Sequence, residues 1–371
     1  MGSKLRQILS SSFENYHRQN GTSWPVRSVI ERVLKCRTEK LGGYKWVCRC
    51  GNEKIVYRSC RSRSCPQCGD YELKKFIDSK MHKIFPGDHF HVVFTIPSEL
   101  NPLWLHNTRM MGTILFSSVK KTIERFTDDN KFLGAKPGII MALHTWGQNL
   151  SLHPHIHALI TAGGLDKSGQ VRYCRDNFLF PAKAAMKYFR FVFLSEVKKN
   201  FKNYIHLNSI VDTCYATNWN IFIKEKYRGG RGVFLYLSRY IRGLPIKDSR
   251  IKHFDAQHVT FSYKDYRDGK KKLMNLSMKS FLQRLLLHIP PKGFRTYRES
   301  GLYYSDKIVD FKFASSGGFL SRQYFESNHL DVRFETIHRE EICPKCKNSF
   351  DKLIVLDVPR YPVRGSPERA A

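Results

Sequence analysis

The chain is poor in acid: 32 Asp and Glu stand against 63 Lys and Arg over 371 residues, a formal net charge of +31. Positive charge on this scale repels itself unless a polyanion neutralises it, so nucleic acid is the expected partner. Nothing in the sequence singles out a triad of carboxylates, which disfavours chemistry built on an acidic triad. No apolar run approaches the roughly 18 residues that a membrane span needs, and residues 1–20 are polar and mixed, unlike a signal peptide. The expected setting is therefore cytoplasmic and nucleoid-associated, without membrane contact. The glycines at 229, 230 and 232 are not followed by the Gly-Lys-Ser/Thr of a Walker loop, which disfavours an ATPase. There is no internal repeat and no long low-complexity segment. What remains is an ordinary folding composition, 42% hydrophobic with 26 Phe and 18 Tyr, long enough for two or three domains.

Disulfides are not expected in a reducing compartment, so the 10 cysteines need another role. Those at 36, 48, 50, 60, 65 and 68 fall within one short stretch. Zinc takes four thiolates, usually as two close pairs joined by a loop. Cys65-x-x-Cys68 is a good half-site and Cys48-x-Cys50 a tighter one. The preferred ligands are Cys48, Cys50, Cys65 and Cys68, with Cys36 and Cys60 free to replace one or to build a second site. Arg58, Arg61 and Arg63 lie among them and suit phosphate contact, or form a solvated basic face. Cys343-Pro344-Lys345-Cys346 is a lone half-site that His338 could assist.

Residues 153–157 read His-Pro-His-Ile-His. Side chains alternate along a strand, so His155 and His157 share a face while Ile156 points into a core. His153 lies about 13 Å from His157 on a straight strand and does not join them without a bend. Two β-type runs, Gly138 to Thr145 and His155 to Thr161, are close enough to pair as a hairpin. Their pairing would bring His144 to the same ion as a third ligand, with Gln148 as the alternative. Such a set suits Zn, Mn, Co or Ni by affinity, and Mg or Mn if a phosphate oxygen also holds the ion.

Phe234 to Arg242 reads as a helix with Tyr236 and Tyr240 at i and i+4, on one face, and with Val233, Leu237 and Ile241 as the complementary stripe. A phenol oxygen beside a metal-polarised phosphate is a competent nucleophile. Helices are also expected over 71–85, 107–126, 183–203 and 278–288, a strand over 90–96, and a hairpin around Asp268-Gly269.

A multi-cysteine module, then Thr145-Trp146-Gly147-Gln148 leading into the His-hydrophobic-His strand, then the tyrosine run 236–240 with Pro245 after it, then Pro291-Lys292-Gly293-Phe294 with Arg298: this combination resembles the rolling-circle transposases of the HUH class, the IS91 family, which are relatives of Helitrons and relaxases. The resemblance covers about residues 25–300. It implies an α+β fold, with an antiparallel HUH-nuclease sheet, flanking helices and a small N-terminal zinc-binding module. It implies metal ligands at His155 and His157, supports His144, and makes Tyr236 and Tyr240 the nucleophiles. Ser64 departs from the family, which often has histidine there, as does the one-residue spacing of Cys48 and Cys50. The expected organisation is a zinc-binding DNA-contact module over 1–70, a catalytic domain over 71–290 and a C-terminal extension over 291–371. The expected cofactors are structural zinc and a divalent Mg or Mn. The expected substrate is single-stranded DNA at hairpin-containing element ends, cut through a 5′-phosphotyrosine. A replication initiator or relaxase with the same chemistry, or a zinc DNA-binding protein without catalysis, are the rival readings.

Overall fold

A computed structural model describes residues 3–175, 177–224, 226–241, 245–265, 267–305, 308, 310–311 and 342–356. Its elements run α1 (Lys4–Asn20), α2 (Trp24–Leu34), β1 (Gly43–Val47), β2 (Glu53–Tyr57), α3 (Gly69–Met81), β3 (His89–Thr95), α4 (Asn101–His106), α5 (Thr108–Thr127), β4 (Lys136–Trp146) and β5 (Leu152–Leu165). They continue through β6 (Val171–Tyr173), α6 (Ala182–Asn200), α7 (Leu207–Ala216), β7 (Asn220–Ile223), α8 (Gly230–Ile241), β8 (Ile251–Phe254), β9 (His258–Lys264), β10 (Lys271–Ser277), α9 (Met278–Leu286), β11 (Tyr297–Gly301) and β12 (Lys352–Leu356). The fold is α+β with antiparallel sheets, as expected. No helix among the described residues is long and apolar enough to cross a membrane.

The main sheet has the order β11-β4-β5-β3-β7, with β6 added to β5. Both its faces are covered, so β4 and β5 read as nearly continuous apolar runs rather than as alternating ones. On one face, Ile139, Met141, Leu143, Ile156, Ala158 and Ile160 join Phe90, Val92 and Phe94 in a core closed by α5 and α6. On the other, Ile140, Ala142 and Leu159 meet Phe76 of α3 with Val233 and Phe234 of α8. Ile156 is fully buried in the first core, as the alternation predicted.

Helix α8 reaches the sheet through a glycine. A Cβ on Gly230 would lie 2.2 Å from Cε1 of His89 and 2.4 Å from the carbonyl oxygen of Phe85. Only glycine allows this approach, and the backbone N–H of Gly230 donates to the Gly87 carbonyl. Gly230 thus docks the tyrosine helix.

A second core lies apart from the sheet. Leu5, Ile8, Leu9 and Phe13 of α1 pack with Ile30 and Val33 of α2, Val259 and Phe261 of β9, and Phe281, Leu282 and Leu285 of α9. The polar-looking N-terminus is therefore an amphipathic helix packed against residues some 250 positions away. Asp248 fixes its start, accepting from Ser3 Oγ at 3.0 Å and from the backbone N–H groups of Lys4 at 2.9 Å and Leu5 at 3.1 Å. The same core takes in Leu150, the buried tip of the β4–β5 hairpin. Leu150 has a φ of 63°, a costly backbone for a branched side chain. It is held there by His288 Nε2, 3.1 Å from its carbonyl, and by Arg284, which donates to the Asn149 carbonyl at 3.0 Å.

A separate three-stranded sheet has the order β12-β1-β2, pairing Gly43 with Leu356 and Val47 with Lys352. Residues near the C-terminus thereby complete the cysteine-rich module.

Candidate metal centres and tyrosine site

The cysteines form two four-thiol clusters rather than the preferred set of Cys48, Cys50, Cys65 and Cys68. One holds Cys36, Cys60, Cys65 and Cys68; the other holds Cys48, Cys50, Cys343 and Cys346. The two expected half-sites belong to different clusters because the β1–β2 hairpin carries Cys48 and Cys50 away from the Cys60–Cys68 loop, and β12 delivers the Cys343–Cys346 turn to them. All six expected thiols are used, and the C-terminal half-site is not alone. His338 lies outside the described residues.

The geometry fits zinc. Bonds of about 2.3 Å in a tetrahedron space sulfurs about 3.8 Å apart. Here Cys36 and Cys68 are 3.4 Å apart, Cys60 and Cys68 3.8 Å, Cys48 and Cys346 3.4 Å, and Cys50 and Cys343 3.6 Å. The side-chain hydrogen bond from Cys60 holds the Cys65 thiol down to about 5, against burial. Burial pushes Cys36 up to about 11. A cation is what lets all four carry thiolate charge together.

The hairpin pairing also brings the imidazoles together. His144 is opposite His155 across β4 and β5. His144, His155 and His157 present ligand atoms within 4.8 Å of one another. Nε2 of His155 and Nε2 of His157 are 3.1 Å apart, close to the spacing that bonds of about 2.1 Å impose on neighbouring ligands. The other nitrogen of His155 lies 2.6 Å from the His153 carbonyl oxygen, which turns Nε2 toward the cluster. Desolvation first, then the neighbouring His144, His155 and His91, hold the pKa of His157 well below the ordinary histidine value. Burial holds His155 down to about 4. Neutral imidazoles crowded this way suit a cation. Gln148, the alternative third ligand, sits in the turn beyond the strand, where its carbonyl accepts from Arg250.

His91 was not singled out from the sequence, although it sits in the expected strand. Its Nε2 is 2.8 Å from Nδ1 of His157. A cation held on Nε2 of His157 would leave the proton on its Nδ1, which would then donate to Nε2 of His91. The ring of His91 also meets the ring of Tyr236 edge-on, with centroids 6.2 Å apart. Lys224 is a second residue missed from the sequence. It follows β7 and holds its ammonium 5.7 Å from the centre of the Tyr236 ring. His89-Phe90-His91 repeats the His-hydrophobic-His alternation of residues 155–157 and was the available signal for His91; Lys224, one of 63 basic residues, had none.

Tyr236 is 39% exposed, open to a substrate. Tyr240 is on the same helix, but its side chain, like those of Leu237 and Ile241, lies outside the described residues. Of the expected apolar stripe Val233 is buried, and Phe234 and Ser238 are buried beside it.

Residues 138–308 match the family described as "Putative transposase", and residues 8–96 match the "Transposase zinc-binding domain". Fold and sites thus define a zinc-binding transposase. The chain is 30% identical to "Putative transposase y4qJ" of Sinorhizobium fredii over 318 residues, 81% of this chain and 80% of that one. It is 28% identical to the "Transposase for insertion sequence element IS801" of Pseudomonas savastanoi pv. phaseolicola over 295 residues, 74% of this chain and 69% of that one. No solved structure gives a significant match. The chain belongs to the IS91 family of transposases, so DNA is its substrate and its N-terminal thiol module is a zinc module.

Proposed function

We propose that this transposase cuts and rejoins single-stranded DNA at mobile-element ends through a 5′-phosphotyrosine. The observation that carries the reading is the continuous contact from His144, His155 and His157 through His91 to the ring of Tyr236. His144, His155 and His157 would hold a divalent ion, Mg or Mn, which when bound neutralises charge on the scissile phosphate. The Tyr236 hydroxyl attacks phosphorus as it loses its proton. The bond to the 3′ oxygen breaks, that oxygen takes up a proton, and the DNA 5′ end stays on the tyrosine. The phosphoester energy is conserved, so a later 3′-OH reverses the step and joins strands. Lys224 favours the phenolate and the phosphate by its charge. His91 is a positioning residue that holds the His157 ring through Nδ1. Tyr240 is the proposed partner nucleophile on the same helix.

The zinc module is proposed to comprise residues 1–70 together with 342–356, the catalytic domain the main sheet and its helices. Hairpin-containing element ends are the proposed substrate. The test uses labelled single-stranded DNA from such an end with Mg²⁺ or Mn²⁺. A covalent protein–DNA adduct is expected from the native chain and none from Tyr236→Phe combined with Tyr240→Phe. Cleavage that persists in the double variant would falsify the nucleophile assignment.

A further inference from the structure

Gly293, Phe294 and Arg298, from the motif that the tyrosine chemistry above does not use, line a large cleft. The cleft has a volume of about 910 Å³ and runs along β11, the edge strand of the main sheet. Six cations line it: Arg61, Arg63, Lys80, Arg109, Arg295 and Arg298. Glu299 is the one carboxylate among the described residues lining it, and Lys80 pairs with it at 2.8 Å. Arg61, Arg109, Arg295 and Arg298 meet no carboxylate among the described residues lining the cleft.

Arg298 is the most telling of them. Its guanidinium lies 4.4 Å over the ring of Phe116, on α5, and no described carboxylate reaches it. Burial first, and then the neighbouring Arg295, lower its pKa from the ordinary arginine value. A guanidinium held over a ring and partly desolvated beside another is a costly arrangement unless an anion completes it. Tyr304, 81% exposed, stands in the same cleft and offers a face for stacking.

The cleft is joined to both sites already described. Its inner end abuts the strand that carries His144, because the backbone N–H of Leu143 donates to the Thr296 carbonyl. Its rim is the loop between Cys60 and Cys65, whose Arg63 donates to Thr296 Oγ1 at 2.9 Å and to the Phe294 carbonyl at 2.6 Å. The first thiol cluster thus shapes this wall.

We propose that the β11 cleft is the track for the single-stranded DNA flanking the cut, with its phosphates on Arg109, Arg295 and Arg298 and a base stacked on Tyr304. Interleaved arginine and aromatic side chains serve single strands in this way because every base has a stackable face and every linkage a charge. The inference rests on the single-strand reading above, and it assigns the path of the strand outside the reacting phosphate.

The test uses the full-length, zinc-loaded chain and a fluorescein-labelled single-stranded oligonucleotide of mixed sequence, titrated by anisotropy at several salt concentrations. Arg109 and Arg295 are exposed, so Arg109→Gln with Arg295→Gln leaves the core untouched. That pair of changes is expected to weaken binding about tenfold and to flatten the log–log salt slope by about 1.4, two phosphates at roughly 0.7 each. Tyr304→Ala is expected to cost about tenfold with the slope unchanged. Arg298→Met, which keeps apolar packing on Phe116, is expected to weaken binding and lower the slope as well. Native affinity and slope in the Arg109/Arg295 variant would overturn the assignment, as would equal competition by a duplex of the same length. The two readings fail separately. A native chain that binds through the cleft but never forms an adduct defeats the chemistry and leaves the track standing. A native chain that forms the adduct, with cleft variants that bind normally, defeats the track alone.

Discussion

The histidine hairpin and the thiol module gather ligands in opposite ways. The three imidazoles come from one hairpin, residues 144 to 157, and strand register alone brings them together. The thiols of the second cluster come from Cys48 and Cys50 at one end of the chain and Cys343 and Cys346 at the other. Local register needs no information from elsewhere in the fold. A site closed across some 300 residues exists only when β12 has paired with β1. The first is therefore preorganised by the sheet, whereas the second is both a product of folding and a clasp on it.

The largest expected effect strikes the chemistry. Ala at both His155 and His157 should reduce adduct formation by at least about a thousandfold, while anisotropy with unreacted DNA stays near native. A large loss of DNA affinity in that variant would show that the hairpin is a binding surface and not a reaction centre.

The clasp comes next. Elemental analysis of the native chain should return two zinc ions, one for each thiol cluster. Cys346→Ser should bring the content close to one and expose the β1–β12 pairing to protease, leaving the main sheet folded. Retention of both ions in that variant would break the contrast drawn here.

His91 tests how far preorganisation extends beyond the ligands. His91→Phe removes the acceptor 2.8 Å from Nδ1 of His157 and should weaken Mn²⁺ affinity about 10- to 100-fold by calorimetry. His91→Gln, which can still accept, should recover part of the loss. A structural role alone predicts a lower melting temperature with unchanged metal affinity.

Proton linkage separates the buried histidines from the thiols. Burial holds His89 down to about 4 and His288 to about 4. Both are neutral in the fold, whereas the unfolded chain protonates them near 6.5. Below that value the unfolded state binds more protons, so stability falls with pH from about 6.5 toward 4 and is flat above. The slope from each is at most about 1.4 kcal/mol per pH unit. Denaturant titrations between pH 7 and 5 should show the decline, and a variant with His89→Gln should show a shallower one.

The smallest effect belongs to the cap of α1. Asp248→Ala removes the acceptor of Ser3, Lys4 and Leu5 and should cost about 1 kcal/mol in denaturant stability, with zinc content and adduct formation unchanged.

Much of this was legible from periodicity and spacing. The His-x-His alternation and the short connection to the 138–145 run predicted the hairpin, and β4–β5 pairing aligns His144 with His155. Residues 107–126 predicted α5, and the Asp268-Gly269 turn predicted β9–β10. The thiol partition was not legible, because the Cys48-x-Cys50 pair has no local sign of which half-site it meets. Arithmetic held a hint: six thiols do not fill two tetrahedra, whereas the C-terminal pair, with the same Cys-Pro-x-Cys pattern as Cys65 to Cys68, brings the number to eight. The first helix was hidden for a different reason. Its polar face dominates the composition, and its few apolar residues gain meaning only against α9 and β9.

By itself the sequence determined the charge that seeks DNA, the alternation that puts two imidazoles on one face, and the one glycine, Gly230, that lets a tyrosine helix approach a strand. These are matters of neighbouring residues and backbone periods, fixed before any fold exists. Tertiary structure alone decided which thiols share an ion, that His91 stands between His157 and Tyr236, and that arginines from three segments meet along β11. Contacts between distant segments depend on how the chain closes, and no local spacing encodes that.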